Sequence, residues 1–403
     1  MSVRPGISVA GGIVAGFVAG AVLTLSVQSA GHVPSPRAPG RSSSAGDIPP
    51  GIERETPGTF LAWTPGGLPT SFRVALRHVP LVRRAVVVES DVAWLTGSFS
   101  SAGEVVDDPP RGLAIPLEVA AVDPREYEPF LPPADGGVLG DLADGYGVLG
   151  ESSAELRHLG PGGVLRFGDV DVRISAVLPD ELIGANELLV SRSRAQALGV
   201  THDRYALIQP RQTASDRSIR LALAPLVPAE LPIQVRAPGE TPYFRQGDAV
   251  LPPVQIKLLF GEFAAAPDPA RPGYLRIDPA WERTNIATER VPILGDVTCN
   301  VALFPQLRGA LRELVRRGLR DTITSYAGCY ARRFANRDPN QAISHHTWGI
   351  AVDVNVPQNP YGAPPDQDPR LVRVFERWGF IWGGRFIRPD GMHFEYRRPP
   401  TQR

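Results

Sequence analysis

The sequence predicts a multidomain chain with an N-terminal transmembrane helix, a β-rich middle domain and a C-terminal domain of mixed helices and strands. Three observations predict this arrangement. The chain of 403 residues is too long for one hydrophobic core, which stops growing at roughly 250–300 residues. An uncharged apolar run lies near the start, and two proline-rich stretches divide the remainder. The predicted segments are 1–30 (anchor or signal segment), 31–58 (flexible linker), 59–224 (β-rich domain), 225–250 (proline-rich linker) and 251–403 (C-terminal domain).

The apolar run extends from Ile7 to Val27 and contains no charged residue. As a helix it is long enough to cross the ~30 Å hydrocarbon core of a bilayer. Arg4 precedes it, which favours a cytoplasmic N-terminus and an exported remainder. We therefore predict a single-pass protein of the cell membrane, held there by this helix, with most of the chain outside the cytoplasm. A cleaved signal peptide is the alternative, because residues 27–29 are similar to a small-residue processing site.

Charge and cysteine content narrow the classes of function. The 42 basic and 42 acidic residues balance, so no net field attracts nucleic acid, and we predict no nucleic-acid partner.

The only cysteines are Cys299 and Cys329. In an exported protein they are expected to form a disulfide, whose ~30-residue loop would stabilise the fold by roughly 3–4 kcal/mol. Two separate buried thiols are the alternative.

Apolar periodicity predicts secondary structure in both folded parts. In the middle domain, period-two alternation predicts a strand from Val170 to Ala176, and a helix is predicted from Arg192 to Leu198. No cluster of histidine, cysteine and carboxylate residues stands out there, so the sequence assigns this domain no chemistry. In the C-terminal domain, amphipathic helices are predicted from Pro305 to Leu314 and from Pro369 to Trp378.

Two short C-terminal stretches carry residues that suit a metal. In GIAVDVNV, alternate apolar residues point one way and Asp353 points the other. In DGMHFEY, His393 and Glu395 likewise face away from the apolar set. His346 precedes the first strand across a segment with Gly349, where the chain can turn back. If the strands are neighbours, two imidazoles and one carboxylate converge, a set that suits zinc and leaves a fourth position open for water.

The same stretches carry a family resemblance. The spacing S-x-H-x-x-G-x-A-x-D is present at Ser344, His346, Gly349, Ala351 and Asp353. An acidic residue, Asp390, stands three positions before His393. This bipartite pattern resembles the family of zinc D-alanyl-D-alanine carboxypeptidases and L-alanyl-D-glutamate peptidases, over roughly residues 251–398. The resemblance implies a small α+β fold with an antiparallel sheet, a Zn²⁺ cofactor and cleavage of peptidoglycan stem peptides.

The resemblance also implies a role for each residue. The metal ligands would be His346, Asp353 and His393, and Asp390 would be the general base for the attacking water. Arg333 resembles the family arginine that contacts a substrate carboxylate or the developing oxyanion, with the adjacent Arg332 as the alternative. Carboxypeptidases of the family usually carry glutamate at the base position. The aspartate is more similar to the endopeptidase branch, which leaves the cleaved bond open.

The remaining predictions concern neighbours of these residues. The predicted substrate-binding residues are Arg333, Tyr326, Ser344 and Trp348. His345 is expected to point away from the metal, where it either supports a ligand residue or lies at the surface, and Glu395 is the alternative base. A non-catalytic cell-wall-binding protein with a structural zinc is the alternative function, although such a site needs neither Asp390 nor an arginine. A further alternative makes the β-rich domain a module that binds a partner or regulates the enzyme.

Overall fold

The computed structural model describes residues 58–238, 247 and 251–399 of the chain. These residues belong to one compact unit. The structure is β-rich, with one large sheet in the first half and several small antiparallel sheets in the second.

The predicted membrane helix requires a correction. Within the part of the chain that the structure describes, no helix is both long and apolar enough to cross a membrane. The 13-residue helix Phe304–Arg316 extends about 20 Å, short of the ~30 Å hydrocarbon core. The predicted span at 7–27, like most of the 31–58 linker, lies outside the described residues. We therefore correct the predicted fold class and the predicted single-pass membrane location: the supported fold is β-rich, with no spanning helix among these residues.

The large sheet has eleven strands in the order β11-β1-β10-β2-β5-β9-β6-β8-β7-β3-β4. Its strands are β1 (Phe60–Trp63), β2 (Val82–Leu95), β3 (Gly97–Phe99), β4 (Val105–Asp107), β5 (Ile115–Val122), β6 (Gly147–Gly150), β7 (Val164–Phe167), β8 (Val170–Leu178), β9 (Leu188–Ser191), β10 (Asp203–Pro210) and β11 (Gln234–Arg236). The pairs β5–β9 and β6–β8 are parallel and the other pairs are antiparallel. Strand β8 includes the alternating segment predicted from the sequence, whereas β11 comes from the range predicted as a linker.

Short helices cover the large sheet. They are α1 (Phe72–Leu76), α2 (Pro124–Tyr127), α3 (Pro133–Gly136), α4 (Glu151–Arg157), α5 (Arg192–Ala197) and α6 (Asp216–Leu223). The helix predicted from Arg192 to Leu198 is confirmed as α5. Ser191 caps it by accepting a hydrogen bond from the Arg194 amide. Gly199 follows in the left-handed region at φ 76°, where glycine has no Cβ penalty.

The second half of the described chain, residues 251–399, consists of helices and small sheets. Its elements are α7 (Pro253–Phe260), β12 (Ala265–Pro267), β13 (Leu275–Ile277), α8 (Pro279–Asn285), β14 (Ile286–Val291), β15 (Gly295–Asn300), α9 (Phe304–Arg316), β16 (Tyr326–Gly328), β17 (Ala351–Val354), α10 (Pro369–Arg377), β18 (Phe380–Trp382) and β19 (His393–Tyr396). Both predicted amphipathic helices are confirmed as α9 and α10. Asp368 caps α10 by accepting from the Arg370 amide at 2.7 Å.

Strands β16, β17, β19 and β18 form a four-stranded antiparallel sheet in that order. Helices α9 and α10 pack together, and their apolar faces share one buried core with this sheet. The core residue Cys299 is bonded to Cys329, so the pairing expected from the sequence is present. The disulfide links the end of β15 to the segment that follows β16.

The two halves are joined by a buried group of charges. We call residues 58–238, which carry the large sheet, the large-sheet part. Arg157 and Glu187 come from this part, and Lys257 and Glu262 come from the second half. Arg157 contacts Glu262 at 2.6 Å, and Lys257 contacts Glu187 at 2.6 Å. Removing one member of a buried ion pair typically costs about 3–5 kcal/mol, because the partner is left unpaired. These contacts therefore resist separation of the two halves.

Candidate metal centre and its surroundings

Strand register brings two of the predicted ligands together. In the antiparallel pair β17–β19, Asp353 lies directly opposite His393, and Ala351 lies opposite Glu395. Because side chains alternate along a strand, Asp353, His393 and Glu395 share one face. The opposite face of β17 carries Val352 into the core. The apolar alternation seen in the sequence thus sets which face carries the polar groups.

The third predicted ligand reaches the same place from a 3-10 turn. His346 lies in the turn His345–Trp348, which ends at Gly349 with φ 68°. A Cβ at Gly349 would come within 2.6 Å of the Asn300 backbone nitrogen. Glycine is therefore required here by both its conformation and its lack of side chain. The turn directs His346 back towards β17.

Hydrogen bonding orients the His346 ring. Its Nδ1 lies 2.8 Å from the carbonyl oxygen of Cys329, and because a carbonyl only accepts, Nδ1 carries the proton. Nε2 then presents a lone pair. This nitrogen is buried and lies 3.2 Å from Asp353 Oδ2, yet it forms no hydrogen bond within the described residues. An orphaned buried lone pair is what a metal ligand provides.

A carboxylate orients the second imidazole. His393 Nε2 donates to Glu395 Oε2 at 3.0 Å, and His393 Nδ1 lies 3.2 Å from Asp353 Oδ1. Glu395 also lies 2.7 Å from His345 Nδ1. A carboxylate on the distal nitrogen of a ligand histidine is the usual way in which metal sites fix ring orientation. Both contacts fall on Glu395 Oε2. Burial opposes ionisation of Glu395, but the two histidines hold its pKa well below the usual range, so it is a poor proton acceptor for the alternative role of base.

The three predicted ligands form a cluster that can hold a metal ion. One ligand atom from each of His346, Asp353 and His393 lies within 4.8 Å of the others. Burial opposes ionisation of Asp353, but the two imidazoles hold its pKa well below the usual range. Burial disfavours the charged form of His393, but its bonds to Asp353 and Glu395 raise its pKa to about 10. This negative surrounding favours a cation, and the two-nitrogen, one-oxygen donor set fits zinc.

Asp390 lies in the turn that precedes β19. Its amide donates to the Gly383 carbonyl at 2.9 Å, and its carbonyl accepts from the His393 amide at 3.1 Å. Its Oδ1 is buried without a hydrogen-bond partner among the described residues. Burial raises the pKa of Asp390, and although His393 counteracts this effect, the carboxylate of Asp353 adds to it. A carboxyl group with a raised pKa and a free oxygen is suited to taking up and returning a proton.

The structure distinguishes between the two adjacent arginines. Arg332 forms an ion pair with Glu282 at 3.6 Å, and its side chain is more exposed to solvent than that of Glu282. Arg333 is half-buried, and no acidic group lies within 4 Å of it in the described part of the chain. Burial lowers the pKa of Arg333, and the charges of Asp353 and Asp390 counteract this effect. The charges of Asp353 and Asp390 therefore act on Arg333, whereas Arg332 is paired with Glu282.

The other three residues predicted to bind substrate differ in how accessible the structure makes them. Tyr326, on β16, is half-buried, and burial together with the Asp353 charge raises its pKa to about 12. Ser344 is buried, and its hydroxyl accepts from the His346 amide at 3.4 Å, so it orients the turn. Trp348 is only 1% exposed and packs against Phe263 with ring centroids 4.8 Å apart. The prediction that Trp348 contacts substrate is therefore corrected: it belongs to the core.

Two parts of this site were not assigned from the sequence. Glu395 shares a strand face with His393, so the alternation contained a signal for its role in orienting that ring. The Cys329 carbonyl that orients His346 has no sequence signal, because any residue offers a carbonyl. The His345 side chain lies against Glu395 and is not at the surface, which agrees with the first of the two positions expected for it.

Comparison with known families supports the motif. The family described as D-alanyl-D-alanine carboxypeptidase matches residues 337–396. The matched segment contains the three clustered residues and Asp390, so the predicted resemblance is confirmed over these residues. Arg333 lies just before the match. No curated protein gives a significant match to the chain.

Several solved structures show weak similarity. The periplasmic region of MacB from Actinobacillus actinomycetemcomitans has 12% identity and a TM-score of 0.32, covering 47% of this chain and 93% of that one. The extracellular domain of the noncanonic ABC-type transporter YknZ from Gram-positive bacteria has 15% identity and a TM-score of 0.31, covering 44% and 99%. A domain of a putative permease protein from Porphyromonas gingivalis has 17% identity and a TM-score of 0.31, covering 49% and 95%. Similarities of this size support no inference about function.

Proposed function

We propose that the C-terminal part of the chain is a zinc-dependent peptidase that hydrolyses peptide bonds in peptidoglycan stem peptides. The observation that carries the proposal is the buried His346 Nε2, which has no hydrogen-bond partner among the described residues and lies beside Asp353 and His393. The carboxypeptidase family match over the same residues supports the substrate class. Asp390 and Arg333 supply groups that a purely structural metal site does not need.

Each residue has a chemical task in this proposal. His346, Asp353 and His393 would hold the ion, which when bound supplies a Lewis acid and makes water at its open position more acidic. Asp390 takes a proton from the attacking water and returns it to the leaving amine. Arg333 offsets the negative charge that develops on the carbonyl oxygen, or holds a substrate carboxylate through its two-pronged guanidinium.

The test is mass spectrometry of purified muropeptides after incubation with the zinc-loaded full chain. Loss of a terminal alanine would identify a carboxypeptidase, and cleavage between alanine and glutamate would identify an endopeptidase. The Asp390→Asn variant, which keeps all three ligands, serves as the control and is expected to leave the muropeptides intact. Muropeptides unchanged by the wild-type protein would contradict the proposal, and retained binding to them would favour the non-catalytic alternative.

A further inference from the structure

A hairpin joins the arginine to the metal-binding turn. We call residues 333–344 the connecting hairpin, because Phe334 pairs with Ile343 and the Ala335 amide donates to the Ala342 carbonyl at 2.8 Å. At its base, the Ser344 amide donates to the Arg333 carbonyl at 3.1 Å. The backbone position of Arg333 is thereby coupled to the turn that carries the metal-binding histidine.

A threonine strengthens the coupling at the base of the connecting hairpin. The Thr347 hydroxyl accepts from the Arg333 amide at 3.1 Å and donates to the Arg333 carbonyl at 2.9 Å. Thr347 lies one residue after His346 and is fully buried. A displacement of the connecting hairpin would therefore shift Arg333 relative to the cluster.

The large-sheet part holds the tip of the connecting hairpin. Arg204, on β10, is buried, and its guanidinium donates to the Ser90 carbonyl at 2.7 Å and pairs with Asp91. The same guanidinium donates across to the Asn340 carbonyl at 2.5 Å. The tip also contains two consecutive residues in the left-handed region, Asn336 and Arg337, at φ 54° and 57°. Such conformations are costly outside glycine and persist only where surrounding contacts impose them.

The large-sheet part also packs against the base of the connecting hairpin. Trp94, on β2, meets Phe334 edge to face, with ring centroids 6.5 Å apart. Trp94 packs against the apolar core of the second half, although it belongs to a strand of the large sheet. Phe334 is 2% exposed and directly follows Arg333. The connecting hairpin is thus held at both ends by residues outside the family match.

We propose that the large-sheet part braces the connecting hairpin, with Arg204 and Trp94 acting as positioning residues that keep Arg333 in place at the metal centre. The expected effect on catalysis rests on the proposed function, whereas the contacts by which Arg204 and Trp94 hold the connecting hairpin do not. Neither residue contacts the cluster, so both act through the hairpin. A small displacement of a substrate-orienting group can lower turnover strongly without any loss of the metal. This gives the otherwise unassigned large-sheet part a role in the activity of the second half.

The experiment compares Arg204→Gln with Arg73→Gln in the full chain. Arg73 is the matched control, because it is partly buried and its ion pairs, with Glu89 and Asp203, stay within the large-sheet part. The readouts are amide hydrogen exchange of residues 335–342, zinc affinity, and kcat and KM on muropeptides. Loss of a hydrogen bond to a charged group is expected to speed exchange in the hairpin about tenfold. We expect kcat/KM to fall about tenfold, with zinc affinity unchanged, in Arg204→Gln alone.

Trp94→Leu is the second variant, and it removes the ring contact with Phe334 at the base of the connecting hairpin. Faster exchange in 335–342 in this variant and in Arg204→Gln, but not in Arg73→Gln, would support the brace. Wild-type exchange in both variants, or equal effects in all three, would overturn it. Should the wild-type protein cleave no muropeptide, the exchange result still decides on the brace, and only the proposed function fails.

Discussion

The carboxylate behind His393 should control the affinity of the site for zinc. Glu395 Oε2 accepts from His393 Nε2 at 3.0 Å, and both side chains are buried. A hydrogen bond to a charged partner contributes about 1.5–3 kcal/mol, and each 1.4 kcal/mol corresponds to about a tenfold change in affinity. The variant Glu395→Gln keeps an oxygen that can accept but loses the charge. We therefore expect zinc binding about tenfold weaker, at the lower end of the range for such carboxylates.

The assay is competition for zinc with a chromophoric chelator, measured on the full chain. Glu313→Gln is the matched control, because Glu313 also pairs with several groups but lies on α9, where it contacts Arg377 and the Trp378 indole nitrogen. The control should lower thermal stability without changing zinc affinity. Wild-type zinc affinity in Glu395→Gln, or an equal loss in both variants, would refute the idea that this carboxylate orients the ligand.

Three further predictions address catalysis, packing and ionisation. Asp390→Asn is expected to lower kcat on muropeptides by about 10²–10⁴-fold while zinc affinity stays within about threefold of wild type, and an unchanged kcat would exclude Asp390 as the base. Gly309→Ala places a Cβ within 2.1 Å of the Trp378 ring, so urea unfolding should show a loss of about 1–3 kcal/mol, whereas wild-type stability would contradict this packing. Burial opposes ionisation of Glu262, but Lys257 and Arg157 hold its pKa below the usual value of 4.5. The stabilisation that its ionised form gives the fold should be complete above pH 4.5 and be lost as the pH falls below that value. The difference in stability between wild type and Glu262→Gln should therefore shrink over that range, and a constant difference would contradict the assignment.

Local sequence patterns predicted the structure correctly where the interactions that determine it join residues close together in the chain. The starts and stops of α9 and α10 are encoded within a few residues: proline in the first turn of both helices, an aspartate cap on α10, and glycine just past each end. Period-two alternation predicted that Asp353 and His393 avoid the apolar face of their strands. The failed prediction for Trp348 has the opposite cause. An aromatic residue beside a functional histidine looks the same in sequence whether it lines a groove or packs against Phe263 in the core.

The sequence by itself determined the residue types of the site and the faces on which they lie, because side-chain direction follows from strand periodicity. Only the tertiary structure decided that Asp353 stands opposite His393, that Arg332 pairs with Glu282 while Arg333 does not, and that Glu395 accepts a hydrogen bond from His393. It also decided that a strand of the large sheet reaches the connecting hairpin through Arg204. These contacts join residues far apart in the chain, and no local periodicity specifies which distant partner a side chain meets.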